Sequence, residues 1–263
     1  MNKLLSIVLV SLFSVCLLSA CTTTPTQVFH GDPMQQALVI GNTQYQRNSL
    51  TNPVNDATDM ANALKKQGFT VYLKNDLTRR QMEKAIRKFK KRLFVHEKSV
   101  GLFYFSGHGA QVEGKSYLIP VNNDEIEFDD DVQWKAVSVD KVLDQMQGTN
   151  NGLNIIILDA CRNNPYLSRP TRGDGNDGLA SIAPPEGVII GYATAPGRTV
   201  PDFIEGERNG LYTKYLLEAI KPKRRIDDVF MQVYDAVRRE SNGKQIPWYK
   251  ASMTKPFCFG ECP

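Results

Sequence analysis

Ile155-Ile156-Ile157-Leu158-Asp159-Ala160-Cys161-Arg162-Asn163-Asn164 decides the reading of this chain. An apolar run of strand length stops at a short polar break that carries a single cysteine. Upstream, Gly101-Leu102-Phe103-Tyr104-Phe105-Ser106-Gly107-His108-Gly109 repeats the pattern with a histidine. Two buried strands, each ending in one member of a Cys/His pair, describe a nucleophile and its base on one edge of a sheet. In open parallel α/β sheets that edge is where ligands sit. A neighbouring imidazole lowers a thiol's pKa and so raises the fraction present as the reactive thiolate. His108 is the partner the sequence offers, because His30 lies in an N-terminal polar stretch and His96 ends a basic helix. The glycines on both sides of His108 predict a turn that exposes the ring. The alternative for Cys161 is a buried structural thiol. Asp159 and the strand-exit turn predicted at Arg162-Asn163-Asn164-Pro165 argue against it and for a cysteine hydrolase.

Outward from these two stretches the chain alternates strands and helices. Ala37–Gly41 reads as a first buried strand, followed by a Pro/Asn loop and a helix over 55–67 with apolar Ala57, Met60, Ala61 and Leu64. Phe69–Leu73 is a second strand. Thr78 caps a long helix whose inward stripe is Met82, Ala85, Ile86, Phe89 and Leu93. The third strand is Val100–Phe105, and Gln111–Val121 is a hairpin turning at Glu113-Gly114-Lys115. Ser138 caps a helix to Gln147. Leu153–Leu158 and Gly187–Tyr192 are further strands, and 211–220 and 226–239 are amphipathic helices. Residues 165–185, rich in Pro, Gly, Asp and Ser, form an exposed linker. The alternation argues a mostly parallel sheet covered on both faces.

The first twenty residues stand apart from this fold. Lys3, the apolar run Leu4–Leu18 and the small residues Ser19-Ala20 make an export signal too short to span a bilayer comfortably. Leu18-Ser19-Ala20-Cys21 resembles the lipobox of bacterial lipoproteins. That resemblance implies lipidation of Cys21 and anchoring to the cell envelope membrane facing the periplasm, the outer membrane being favoured over the inner. The expected organisation is a signal peptide over 1–20, a polar tether over 21–35, a peptidase domain over 36–257 and a short tail over 258–263. The formal charge of +4 falls to +3 once Lys3 leaves, so no nucleic-acid footprint is implied. Lys and Arg do concentrate on the helix Arg79–Arg92. A solvated face accounts for that run, with an acidic membrane or protein partner as the alternative. Among the cysteines of the exported chain, Cys258 and Cys262 are close enough to form a disulfide, which leaves Cys161 as a free thiol.

Tyr104-Phe105-Ser106-Gly107-His108-Gly109 and Leu158-Asp159-Ala160-Cys161-Arg162 resemble the two active-site motifs of the caspase/metacaspase superfamily. Ala37–Leu64, Tyr192-Ala193-Thr194-Ala195-Pro196-Gly197 and Asn209-Gly210-Leu211-Tyr212-Thr213 also resemble family segments, in the family's order. The resemblance implies a six-stranded, mostly parallel sheet flanked by helices. It implies Cys161 as nucleophile, His108 as the group that protonates the leaving amine, and the backbone N–H groups of Gly109 and Cys161 as the oxyanion hole. A linker over 164–186 would separate large- and small-subunit regions, with Arg169 and Arg172 as candidate self-cleavage points.

True caspases accept Asp at P1 through arginines and carry Gln before the Ala-Cys pair; this chain has Asp159 there. Asp56 matches the other acidic pocket residue of metacaspases, and Ser106 a polar wall. Two converging carboxylates would attract Arg or Lys, and Arg most through its bidentate fork. The competing roles are a helix cap for Asp56 and a turn former for Asp159. Calcium is a cofactor the family often needs. Asp124, Glu125, Glu127, Asp129, Asp130 and Asp131 form an acidic stretch suited to it, but a solvated acidic loop explains them as well and no ligand set is assigned. The expected partners are peptide or protein substrates and, through the anchor, a membrane. One rival is a catalytically silent scaffold of the same fold. A nucleotide binder is the other, disfavoured by the missing GxGxxG and Walker spacings.

Overall fold

The computed structural model describes residues 34–95, 98–149, 151–161, 184–194 and 206–260, with Cys161 described by its backbone alone. The strands are β1 (Gln35–Gly41), β2 (Thr70–Asn75), β3 (Val100–Val112), β4 (Lys115–Leu118), β5 (Val137–Ser138), β6 (Leu153–Cys161), β7 (Val188–Tyr192), β8 (Arg224–Arg225), β9 (Trp248–Ser252) and β10 (Cys258–Phe259). The helices are α1 (Pro53–Lys66), α2 (Arg79–Phe94), α3 (Asp129–Lys135), α4 (Val139–Gln147), α5 (Leu211–Ala219) and α6 (Ile226–Glu240). The main sheet runs β2-β1-β3-β6-β7-β9. All its neighbours are parallel except β7 and β9. This is the six-stranded, mostly parallel sheet expected, and β9 is the strand that the sequence pattern did not reveal.

Strand alternation divides the core into two layers. Val39, Leu102, Tyr104, Ile155 and Ile157 face α1, α5 and α6. Their neighbours Leu38, Ile40, Phe103, Phe105, Ile156 and Leu158 face α2 and α4. Every second residue therefore belongs to the same layer, as the pleat requires. Each fully buried Leu or Ile contributes about 1.5–3 kcal/mol. The compact unit Pro33–Pro263 carries every described element and both layers.

Several expectations are corrected. β3 does not end at Phe105 but continues through His108 to Val112, and its far end pairs antiparallel with β4. The predicted hairpin turn is present at Glu113 and Gly114, both at positive φ. No turn brackets His108. Gly107 instead lies under the Tyr45 hydroxyl, which a Cβ would strike. β6 likewise runs on through Asp159 to Cys161, so neither residue sits in a strand-exit turn. The acidic run does not form a plain loop. Asp129, Asp130 and Asp131 make the first turn of α3, where the Asp131 carboxylate accepts the N–H groups of Glu127 and Phe128 at 2.9 and 3.0 Å. These bonds hold its pKa below the ordinary carboxylate range. Ser138 occupies the N-cap of α4 without a side-chain capping bond. Cys258 and Phe259, read as the start of a tail, form β10 against β8, with Phe259 buried beside Phe69 and Phe257.

Candidate active site

The strand order reverses between β1, whose crossover leads outward to β2, and β3, whose chain continues toward β6. At such a switch point the loops leaving neighbouring strands diverge and open a crevice at the carboxyl edge. The residues picked from sequence collect at that edge. In the β3–β6 ladder Ser106 lies opposite Asp159, and His108 lies opposite Cys161. Neighbouring strands are about 4.8 Å apart, so both pairs are adjacent along the backbone. Ser106 and His108 continue the Leu102–Tyr104 row. Asp159 continues the Ile155–Ile157 row, and residue 161 is the next position in it. For Cys161 the structure contributes this register position and nothing of the side chain. Gly109 follows His108 in β3, opposite Leu118.

His108 is held by a loop that sequence reasoning passed over. Its Nε2 lies 2.6 Å from the Asn48 carbonyl oxygen. A carbonyl only accepts, so Nε2 carries the proton and Nδ1 is the nitrogen able to take one from a thiol. The His108 backbone N–H donates to the Tyr45 hydroxyl at 2.8 Å, and the two rings pack with centroids 4.4 Å apart. Asn48 reaches the imidazole from a left-handed conformation, φ 58°, that Asn tolerates better than most side chains. Nothing in the local pattern marks Tyr45 or Asn48, because their role depends on where the loop after β1 lands.

Beside the dyad positions is a small pocket. Asn52 at the N-cap of α1, Pro53 and Asp56 from α1, Ser106 and Gly107 from β3, Asp159 from β6, and Thr194, Gly210 and Gln245 form its walls. Asp56 and Asp159 are its charged groups, and no Lys, Arg or His is among the lining residues described. Asp56 does not cap α1: Asn52 holds the N-cap position, and the Asp56 carboxylate is aimed at the sheet. Its Oδ2 accepts from Ser106 Oγ at 3.1 Å and its Oδ1 from the Gly210 N–H at 2.9 Å. Burial pushes its pKa up to about 6, against the opposing pull of hydrogen bonds from Gly210, Asn209 and Ser106. The segment that supplies Gly210 is pinned to α1. Arg208 grips Asp59 through two nitrogens at 2.8 and 3.2 Å, and Asn209 bonds the same carboxylate at 3.1 Å.

Asp159 has its own support. Thr213 Oγ1 donates to Asp159 Oδ2 at 2.5 Å, and Tyr104 donates to Thr213 Oγ1 at 2.5 Å. The Tyr104 hydroxyl is buried, and burial with the charges of Asp159 and Asp56 pushes its pKa well above the ordinary value. Both residues fall inside the family-like segments, but that likeness does not show that they form one chain to Asp159.

Four sequence expectations fall outside this geometry: Cys21, Arg169, Arg172 and Cys262 are not among the described residues. Cys258 is disulfide-bonded. Among the described residues no three His, Cys, Asp or Glu side chains form a cluster that could hold a metal ion.

Comparison with known proteins agrees with the fold. The mucosa-associated lymphoid tissue lymphoma translocation protein 1 of Homo sapiens is 28% identical over 227 residues, which cover 83% of this chain and 26% of that protein. Its Mus musculus homologue is 29% identical over 205 residues, 74% of this chain and 23% of that protein. The chain thus spans about a quarter of the length of these curated relatives. Caspase-1 from Spodoptera frugiperda superposes with a TM-score of 0.64 at 17% identity, over 88% of this chain and 94% of that one, a likeness of fold. The family model for the caspase domain matches residues 34–258 from end to end of the described core. This chain therefore belongs to the caspase-domain family of peptidases.

Proposed function

We propose that this chain is a cysteine endopeptidase that cleaves after Arg or Lys through Cys161 and His108, tethered to a membrane by a lipid on Cys21. The observation that carries the specificity is the pocket itself. Two carboxylates, Asp56 and Asp159, stand together beside the dyad positions with no cation among the described lining residues. An Asp at P1 would meet like charge there. A guanidinium would supply the counter-charge and the N–H donors that both carboxylates accept.

In the proposed reaction His108 Nδ1 takes the Cys161 proton and the thiolate attacks the scissile carbonyl carbon. The tetrahedral oxyanion is met by the N–H groups of Gly109 and Cys161. His108 then returns the proton to the departing amine as the C–N bond breaks, leaving a thioester. Water, deprotonated by the same imidazole, attacks the thioester and regenerates the thiol. The Asn48 carbonyl keeps the imidazole in the tautomer both proton transfers need.

The deciding experiment is turnover of paired fluorogenic peptides ending in Arg or Asp. Arg-ended peptides are expected to be cleaved at least about a hundredfold faster, the weight of one guanidinium–carboxylate pairing in a shielded site; a preference for Asp would end the assignment. Thr213 is a positioning residue on this reading. Thr213→Val is expected to lower kcat/KM for Arg-ended peptides roughly ten- to a hundredfold, the worth of a hydrogen bond to a charged group. The loss should lie mainly in KM, with alkylation of Cys161 unchanged and Thr213→Ser restoring activity. An equal loss of alkylation rate would instead mean general disruption.

A further inference from the structure

We propose that the end of the fold opposite the catalytic edge is a docking surface for an anionic lipid bilayer, formed by the last two turns of α2 with Met34 and Lys98. The inference goes beyond the peptidase reading and does not depend on it. Phe94 and Val95 are 69% and 71% exposed, and Met34 is 44% exposed. These are large apolar side chains left in water at one end of a molecule whose other apolar residues are mostly buried. Met34 lies beside the last turn of α2: Gln36 Nε2 reaches both the Met34 sulfur at 3.5 Å and the Arg92 carbonyl at 3.2 Å.

Cations flank this apolar group along the described chain. Lys88, Lys91 and Val95 follow a spacing of i, i+3 and i+7, and Arg87, Lys91 and Phe94 a spacing of i, i+4 and i+7, so a basic stripe runs into the apolar tip. Lys88, Lys91 and Lys98 have no carboxylate within ion-pair distance among the described residues. Arg92 stacks on Tyr72, its guanidinium 3.8 Å from the ring centre, and leaves its charge at the surface. A helix C-terminus accounts for one or two cations in the last turn. It does not account for two adjacent exposed hydrophobes among them. That combination fits the boundary of a negatively charged membrane, where apolar side chains enter the acyl region and lysines meet the headgroups. Phe128 and Trp134, also exposed, lie among Glu127, Asp129 and Asp130, and an anionic surface would repel them.

The topology gives this surface a consequence. Met34 precedes β1, so the polypeptide arriving from Cys21 joins the fold at this patch. Thirteen residues, 21–33, reach at most about 45 Å even when fully extended. Docking through α2 would hold the catalytic edge, about 26 Å away along β3, toward the aqueous side.

The test uses residues 33–263, without anchor or leader, so that its outcome is separate from lipidation and from peptidase activity. The domain is sedimented with vesicles of phosphatidylglycerol in phosphatidylcholine, or of phosphatidylcholine alone, at low and high salt. Binding is expected to be at least about tenfold stronger to the anionic vesicles and to fade with salt. F94S/V95S and K88E/K91E should each lose at least about tenfold, whereas F128S/W134S should bind as wild type. Wild-type protein left in the supernatant, or α2 variants that bind normally, would overturn the proposal. So would light scattering that finds a lipid-free dimer dissociated by the same substitutions, since the patch would then be a protein contact.

Discussion

Asp56→Asn is expected to lower kcat/KM for Arg-ended peptides by two to three orders of magnitude while making the folded domain more stable. The two effects share one cause. Asp56 is 2% exposed, and burial raises its pKa from the ordinary aspartate value of 3.8 to about 6. A raised carboxylate pKa means that the folded state holds the proton more tightly than the unfolded chain does. The cost is absent below about pH 4, grows through the interval up to about 6, and is fully present above it. At neutral pH it is on the order of 3 kcal/mol, about 1.4 kcal/mol for each pKa unit. Asn keeps an oxygen for the Gly210 N–H and a donor for Ser106 Oγ, so the substitution removes the charge with little other disturbance. The melting temperature at pH 7.5 should rise by roughly 6–12 °C, with the gain vanishing near pH 4. On the proposed specificity a cationic P1 side chain would offset the same burial in the wild type, and removing one partner of such a pair costs about 3–5 kcal/mol. kcat/KM of the wild type should therefore acquire an acid limb near pH 6 that Asp56→Asn lacks. An Asp56→Asn variant that melts no higher, or that still prefers Arg, contradicts the role given to this carboxylate.

Cys161→Ala should reduce hydrolysis of the same peptides by at least about 10⁴-fold, because without the sulfur there is no acyl-enzyme route. The variant should also remain a single chain if wild type cuts itself at Arg169 or Arg172; identical gel patterns for the two would remove self-processing. His108→Ala separates a working dyad from a silent scaffold. In the wild type iodoacetamide should alkylate Cys161 much faster than a free cysteine thiol at pH 7, and His108→Ala should lower that rate at least about tenfold. An ordinary rate in both proteins favours the scaffold. Asn48 and Tyr45 touch His108 and not the pocket, so changes there should act on alkylation before they act on P1 preference.

The sequence by itself determined the two core strands and the amphipathic helices, and it put Cys161 and His108 forward as a candidate pair. These are local patterns: apolar runs of strand length, helical spacing, and one Cys and one His each following such a run. Strand β9 escaped because Trp248–Ser252 is only partly buried and lacks a continuous apolar run. The turn expected around His108 failed for a different reason. Glycine usually permits a bend, but here Gly107 makes room for the Tyr45 hydroxyl inside a continuous strand. Only the tertiary structure decided what surrounds the chemistry: the Asn48 carbonyl on the imidazole, the Tyr104–Thr213–Asp159 chain and the Asp59–Arg208 clamp. Each joins segments far apart along the chain, and hydrogen bonds of that kind depend on where the crossovers of the sheet bring their ends.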